Sequence, residues 1–182
     1  FTNVSFIRRY IEDTFVKSYL STVGLDFRVK KLTLSSGAKV KIQIWDSSGD
    51  ERYNTITRQY FNRANGFIIM YNITRRDSFE KVAFWLREIR NYTNNNNIVL
   101  VGNCVDLDYN TSYNKKREIS TEEGRKFAED NNLFFFETSS LTGHNVKECF
   151  EALINRIYEN DPNKNKIEFE LERNRGKRGC LK

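Results

Sequence analysis

The chain has 182 residues, 38% apolar and 14% aromatic, which suits one domain with a real core and excludes a disordered polymer. Its longest apolar runs are too short to cross a bilayer, and the opening residues do not read as a signal peptide. The net charge of +6 is uneven: residues 164–182 hold seven Lys or Arg and three Glu, leaving about +2 for the body.

Phe rather than Met stands first, so the expectation is that upstream residues are missing from this sequence. Three widely spaced cysteines, Cys104, Cys149 and Cys180, argue against a disulfide framework or a zinc site and for a reducing compartment. A basic tail is suited to an acidic membrane leaflet or to nucleic acid, and equally to solvent.

In chain order, Val4–Asp13 reads as a short helix with Phe6, Ile7 and Tyr10 on one side. Phe27–Leu34 and Val40–Trp45 alternate apolar and polar residues around Ser35-Ser36-Gly37, a hairpin signature. Gly66–Tyr71, Ile98–Gly102 and Leu133–Phe136 are continuous apolar runs, each read as a strand covered on both faces of a parallel sheet.

Helical patterns separate these runs. Phe79, Val82, Leu86 and Ile89 share one face of the first. Ser120-x-x-Glu123 is a capping box that opens the second. The third spans Val146 to about Tyr158, with Phe150, Leu153, Ile154 and Ile157 inward. Alternating strands and helices imply an open α/β sheet with helices on both faces and ligands at the carboxyl ends of the strands. Pro162 marks the boundary between a domain at residues 1–160 and a basic tail at 161–182.

The chemistry-bearing residues follow strands. Asp46 ends the strand in KIQIWDSSGDE, where a carboxylate suits magnesium, and Gly49 lets a backbone N–H approach a terminal phosphate. An ordinary strand-to-loop turn would look the same. Asn103-Cys104-Val105-Asp106 and Glu137-Thr138-Ser139-Ser140 follow two further strands. A carboxylate at Asp106 can accept from guanine N1 and N2, which adenine cannot offer. The Ser140 N–H is expected to meet the guanine oxygen.

Together these segments resemble the Rab branch of the Ras-like small GTPases over nearly the whole chain. FVKSYLSTVGLDF (15–27) resembles the first switch, ERYNTITRQYFNRANG the second-switch helix, and YNITRRDSF the segment beyond the next strand. The resemblance implies a P-loop NTPase-like small GTPase fold, an open, mostly parallel sheet, and a switch in vesicle traffic that works with Mg2+ and GTP or GDP. It implies that Thr22 and Asp46 serve the magnesium, and that Gly49, Asn103, Asp106, Ser139 and Ser140 serve the nucleotide. Val23, Gly24, Phe27, Trp45 and Tyr60 would form the effector surface, although plain core packing also accounts for Phe27 and Trp45. Rab effectors and regulators, a monomeric state and the cytosolic face of an endomembrane are implied with it. Nucleic acid is not.

Departures from that pattern are specific. The phosphate-loop lysine and the magnesium-binding Ser/Thr fall on Asn3 and Val4, which lack the charge and the oxygen. Asp50 stands at the catalytic glutamine position, which predicts very slow hydrolysis. Cys104 and Leu141 replace the two lysines that sandwich the base. The family's first strand, central between Val40–Trp45 and Gly66–Tyr71, is absent from the chain. The expectation is a fragment, a truncated gene product or a protein that borrows a strand. Cys180, third from the end, fits neither a C-a-a-X box nor a paired-cysteine ending, yet beside basic residues it remains a candidate for lipidation. The alternative reading is a degenerate, nucleotide-independent interaction module.

Overall fold

The computed structural model describes residues 3–15, 25–47, 54–109 and 116–162. Helix α1 (Asn3–Glu12) buries Phe6 and Tyr10, whose rings stack on Phe150 at centroid distances of 5.1 and 3.9 Å. Strands β1 (Leu25–Thr33) and β2 (Lys39–Ser47) form the expected antiparallel hairpin. Its turn places Gly37 at φ 83°, where a side chain would be strained.

Helix α2 (Asn54–Phe61) follows, then β3 (Phe67–Asn72), α3 (Arg76–Tyr92) and β4 (Ile98–Asn103). After a four-residue α4 (Asp106–Tyr109) come α5 (Thr121–Asp130), β5 (Phe134–Thr138) and α6 (Val146–Glu159). Ser120 caps α5 as its spacing predicts, its Oγ accepting from the Glu123 N–H at 3.1 Å.

Strands β3, β4 and β5 form a parallel sheet in that order, with β4 buried along its whole length. On one face, Ile69, Tyr71, Ile98 and Leu100 pack against α3 and α5. On the other, Val99 and Val101 pack against α1 and α6, together with the inward residues of the hairpin. The hairpin is a separate two-stranded sheet, and among the described residues no strand lies between β2 and β3. That agrees with the open, mostly parallel α/β architecture inferred from the sequence.

The LFFF run is covered on both faces, Phe135 packing on the α3–α5 side and Phe136 on the α1–α6 side. Strand β5 nevertheless lies at the end of the three-stranded sheet, and Phe134 is 37% exposed with the Arg156 guanidinium 4.6 Å from its ring centroid. Aromatic residues favour strands on packing grounds alone, so a continuous apolar run does not separate an edge from a centre.

Candidate functional site: the carboxyl ends of the parallel strands

Strand β4 ends in Asn103, which is 2% exposed and acts as a latch to the segment after β5. Its Nδ2 donates to Ser140 Oγ at 2.9 Å. Its Oδ1 accepts from Thr138 Oγ1 at 3.1 Å and from the Ser140 N–H at 3.2 Å. Because a buried backbone N–H must find an acceptor, the Ser140 amide is committed to Asn103.

Asp106 opens α4, and its Oδ1 accepts from Ser139 Oγ at 2.5 Å. Ser139 Oγ in turn accepts from the Thr142 N–H at 3.1 Å, which fixes the loop behind the carboxylate. A carboxylate has room for several donors, so one serine hydroxyl does not exhaust Asp106. The turn leading to it runs through Cys104, buried and at φ 78°, a conformation uncommon for any residue but glycine. Leu141, on the loop beyond Ser140, is 37% exposed.

A residue that sequence reasoning missed holds this loop from the far side. Arg9 on α1 donates from Nε to Ser140 O at 3.0 Å and from Nη2 to Leu141 O at 2.7 Å. Its Nη1 reaches Asp13 O and Oδ1 at 2.9 and 3.1 Å. No spacing signal marks it, since Arg8 beside it has the same chemistry and makes an exposed i,i+4 pair with Glu12.

The phosphate end is built differently. Asp46 is 6% exposed at the end of β2 and lines a small cavity with Val4, Ile7, Ile11 and Arg28. Arg8 and Glu12 line the same cavity, and Val4 offers a divalent cation there only methyl groups. The donor set fits a guanine base at Asp106. Among the described residues it does not fit a complete magnesium site. Thr22, Val23, Gly24, Gly49, Asp50 and Cys180 lie outside the described residues.

The three aromatics assigned to an effector surface come together. Phe27 and Trp45 are directly opposed across β1 and β2, their rings 5.1 Å apart, and Trp45 meets Tyr60 of α2 at 4.8 Å. Phe27 is 50% and Trp45 43% exposed, so neither serves as core.

A family model described as "Ras family" matches residues 3–159. Among curated proteins, the chain is 46% identical to Ras-related protein Rab-3 of Caenorhabditis elegans over 155 residues, covering 84% of this chain and 67% of that protein. It is 43% identical over 154 residues to Ras-related protein Rab-3C of Bos taurus, covering 84% of this chain and 65% of that one. Ras-related protein Rab-3B of Rattus norvegicus is likewise 43% identical over 154 residues, with 84% and 67% covered. The chain spans about two thirds of the length of these relatives. With its fold, its match across residues 3–159 and these identities, the chain belongs to the Ras family, on the Rab branch.

Proposed function

We propose that this domain binds the guanine base of GDP or GTP and serves as a Rab-type module in intracellular vesicle traffic, with a weakened grip on the phosphates and very slow hydrolysis. The observation that carries the reading is the Asp106 carboxylate, oriented by Ser139 and set at the strand end by the Asn103 latch. An acceptor held in place before the ligand arrives rejects adenine, because the wrong edge leaves it unpaired. Ser140 and Leu141 flank that position.

Asp46 and Thr22 are the residues that would hold magnesium, and Gly49 the one beside the terminal phosphate. Asp50 replaces the water-orienting group, so it is the doubtful member of the catalytic set. Magnesium, when bound, would neutralise phosphate charge, and Val4 contributes nothing to holding it. The exposed Phe27 and Trp45 rings, with the half-buried Tyr60 against Trp45, support an effector surface that Val23 and Gly24 would extend. The basic tail, with Cys180 as a candidate lipid site, is assigned to the cytosolic leaflet of an endomembrane. No nucleic-acid partner is proposed, and the working state is a monomer with Rab effectors and regulators as partners.

Val4 beside Asp46 favours a second reading, a nucleotide-independent interaction module with the same aromatic surface. Titrating the protein with fluorescent GDP and ADP, with and without magnesium, separates the two. The expected result is preference for GDP, little gain from magnesium, and a loss on the order of a hundredfold in Asp106→Ala. No discrimination between GDP and ADP overturns guanine recognition and leaves the module. A large magnesium-dependent gain overturns the weakened phosphate grip.

A further inference from the structure

Arg9 reaches the loop after β5 from a fixed base. Its helix α1 is stacked through Phe6 and Tyr10 on Phe150 of α6. Lys30 of β1 donates from Nζ to Tyr10 O at 2.5 Å, close to the helix end. The Arg9 side chain is itself only 15% exposed. Its stem lies along the far end of the loop, where a Cβ on Gly143 would stand 3.5 Å from Arg9 Cδ, an ordinary contact distance. One side chain thus spans the loop from Ser140 to Gly143.

The guanidinium takes up two successive carbonyls, Ser140 O and Leu141 O, and among the described residues no other donor reaches either. The peptide joining Leu141 to Thr142 is trans, so its C=O and N–H point to opposite sides of one rigid plane. Holding the carbonyl therefore aims the amide. That amide, the Thr142 N–H, donates to Ser139 Oγ, and Ser139 Oγ donates to Asp106 Oδ1. An unbroken series of contacts runs from α1 to the Asp106 carboxylate.

We propose that Arg9 is a positioning residue for guanine selectivity, acting on Asp106 through the Leu141–Thr142 peptide and the Ser139 hydroxyl. The inference rests on Asp106 as the group that selects guanine. Arginine suits this duty because its planar fork meets both carbonyls and fixes their relative orientation, whereas a lysine ammonium is a single point on a flexible stem.

Arg9 also closes the end of its own helix. Its Nη1 donates to Asp13 O and Oδ1, and the Asp13 N–H donates to Arg9 O. Asp13 stands at φ 51°, so glycine is accommodated there and removes only the carboxylate. Asp13→Gly therefore separates closing the helix from positioning the loop.

Dissociation constants of fluorescent GDP and ADP, measured without magnesium, give the ratio that tests this. Loosening of the whole fold weakens both nucleotides alike and leaves the ratio unchanged, whereas displacing Asp106 lowers it. Arg9→Met keeps the stem and removes every donor. Its preference for GDP should fall by about ten- to a hundredfold. Its Thr142 amide should exchange about tenfold faster, with the amides of β4 unchanged. Arg9→Lys should fall part of the way, and Asp13→Gly should keep the parent ratio. A ratio that Arg9→Met leaves unchanged, or that Asp13→Gly lowers as far, overturns the assignment and leaves guanine recognition standing. If Arg9→Met does not fold, an unchanged ratio in Arg9→Lys overturns it alone. A parent protein with no preference for GDP removes guanine recognition itself, and the assignment with it.

Discussion

Tyr71 shows how tightly single atoms are held in the larger core. It is 2% exposed, and its hydroxyl has no hydrogen-bond partner among the described residues. Burial pushes the phenol well above its usual range, with a smaller contribution from Glu137. The ring fills a slot made by two glycines. A Cβ on Gly102 would fall 2.7 Å from Tyr71 Oη, and one on Gly124 would collide with the same oxygen and come within 2.9 Å of Phe135. Gly124 lies in α5, where alanine would ordinarily stabilise a helix by about 1 kcal/mol. Overpacking a core costs about 1–3 kcal/mol, so Gly124→Ala should lower stability on balance. Tyr71→Phe should be neutral or stabilising by up to about 1 kcal/mol, because it removes a polar atom that satisfies nothing. Urea unfolding of both single variants and the double variant checks this. The expected cycle shows Tyr71→Phe recovering part of the Gly124→Ala loss, and strict additivity would place the collision elsewhere.

At the scale of elements, α2 is tied to α3 by a contact that no local pattern announces. Arg58 donates to Glu88 Oε2 from Nε at 2.8 Å and from Nη2 at 2.6 Å, and its guanidinium lies 5.6 Å from the Tyr92 ring centroid. Glu88 is 9% exposed, so this carboxylate has left water and depends on its partner. The pair also holds the Arg58 guanidinium above its ordinary range, chiefly through the hydrogen bond to Glu88. Glu88→Gln should therefore speed amide exchange in α2 while leaving α5 unchanged, and unchanged exchange in α2 would show that the rings alone hold it. The sequence carried the elements far better than these links. Period-two alternation revealed the hairpin, and apolar positions three and four apart revealed α3 and α6, because burial of one face repeats locally. Asp106 was legible because a strand end followed by a carboxylate is a local pattern. Arg9 reaching Ser140 and Leu141, and Asn103 taking the Ser140 amide, join residues up to 132 positions apart and leave no periodic trace. The four-residue α4 is shorter than one amphipathic repeat. The edge position of β5 follows from sheet order, which composition does not encode.

Over the whole molecule, buried acids on both faces of the sheet make stability fall in alkali, beginning on the α1–α6 face. The α1–α6 face buries two acids that must stay protonated. Burial pushes the Cys149 thiol from its ordinary 9.0 up to about 12. Burial, reinforced by Glu151, pushes the Tyr10 phenol from 10.0 up to about 12. In both, the folded state holds a proton that the unfolded chain releases, so their stabilisation is complete below the unfolded value and lost as pH rises toward the folded one. Cys149 acts first, from about pH 9, and Tyr10 joins from about pH 10. Each lowers unfolding free energy by about 1.4 kcal/mol per pH unit within its window. Tyr71 on the opposite face is shifted the same way and adds to the loss above pH 10. Lysines, half-deprotonated only near pH 10.4, and tyrosines, near pH 10, stay mostly protonated below pH 10, so the thiol leads the loss between pH 9 and 10. Urea midpoints measured from pH 7 to 11 should be flat to about pH 9 and then fall with increasing slope. Cys149→Ala should flatten the interval from 9 to 10, and adding Tyr10→Phe should reduce the slope above it. A fall below pH 8.5, or a slope that both substitutions leave intact, would mean that a group other than Cys149 and Tyr10 releases the proton.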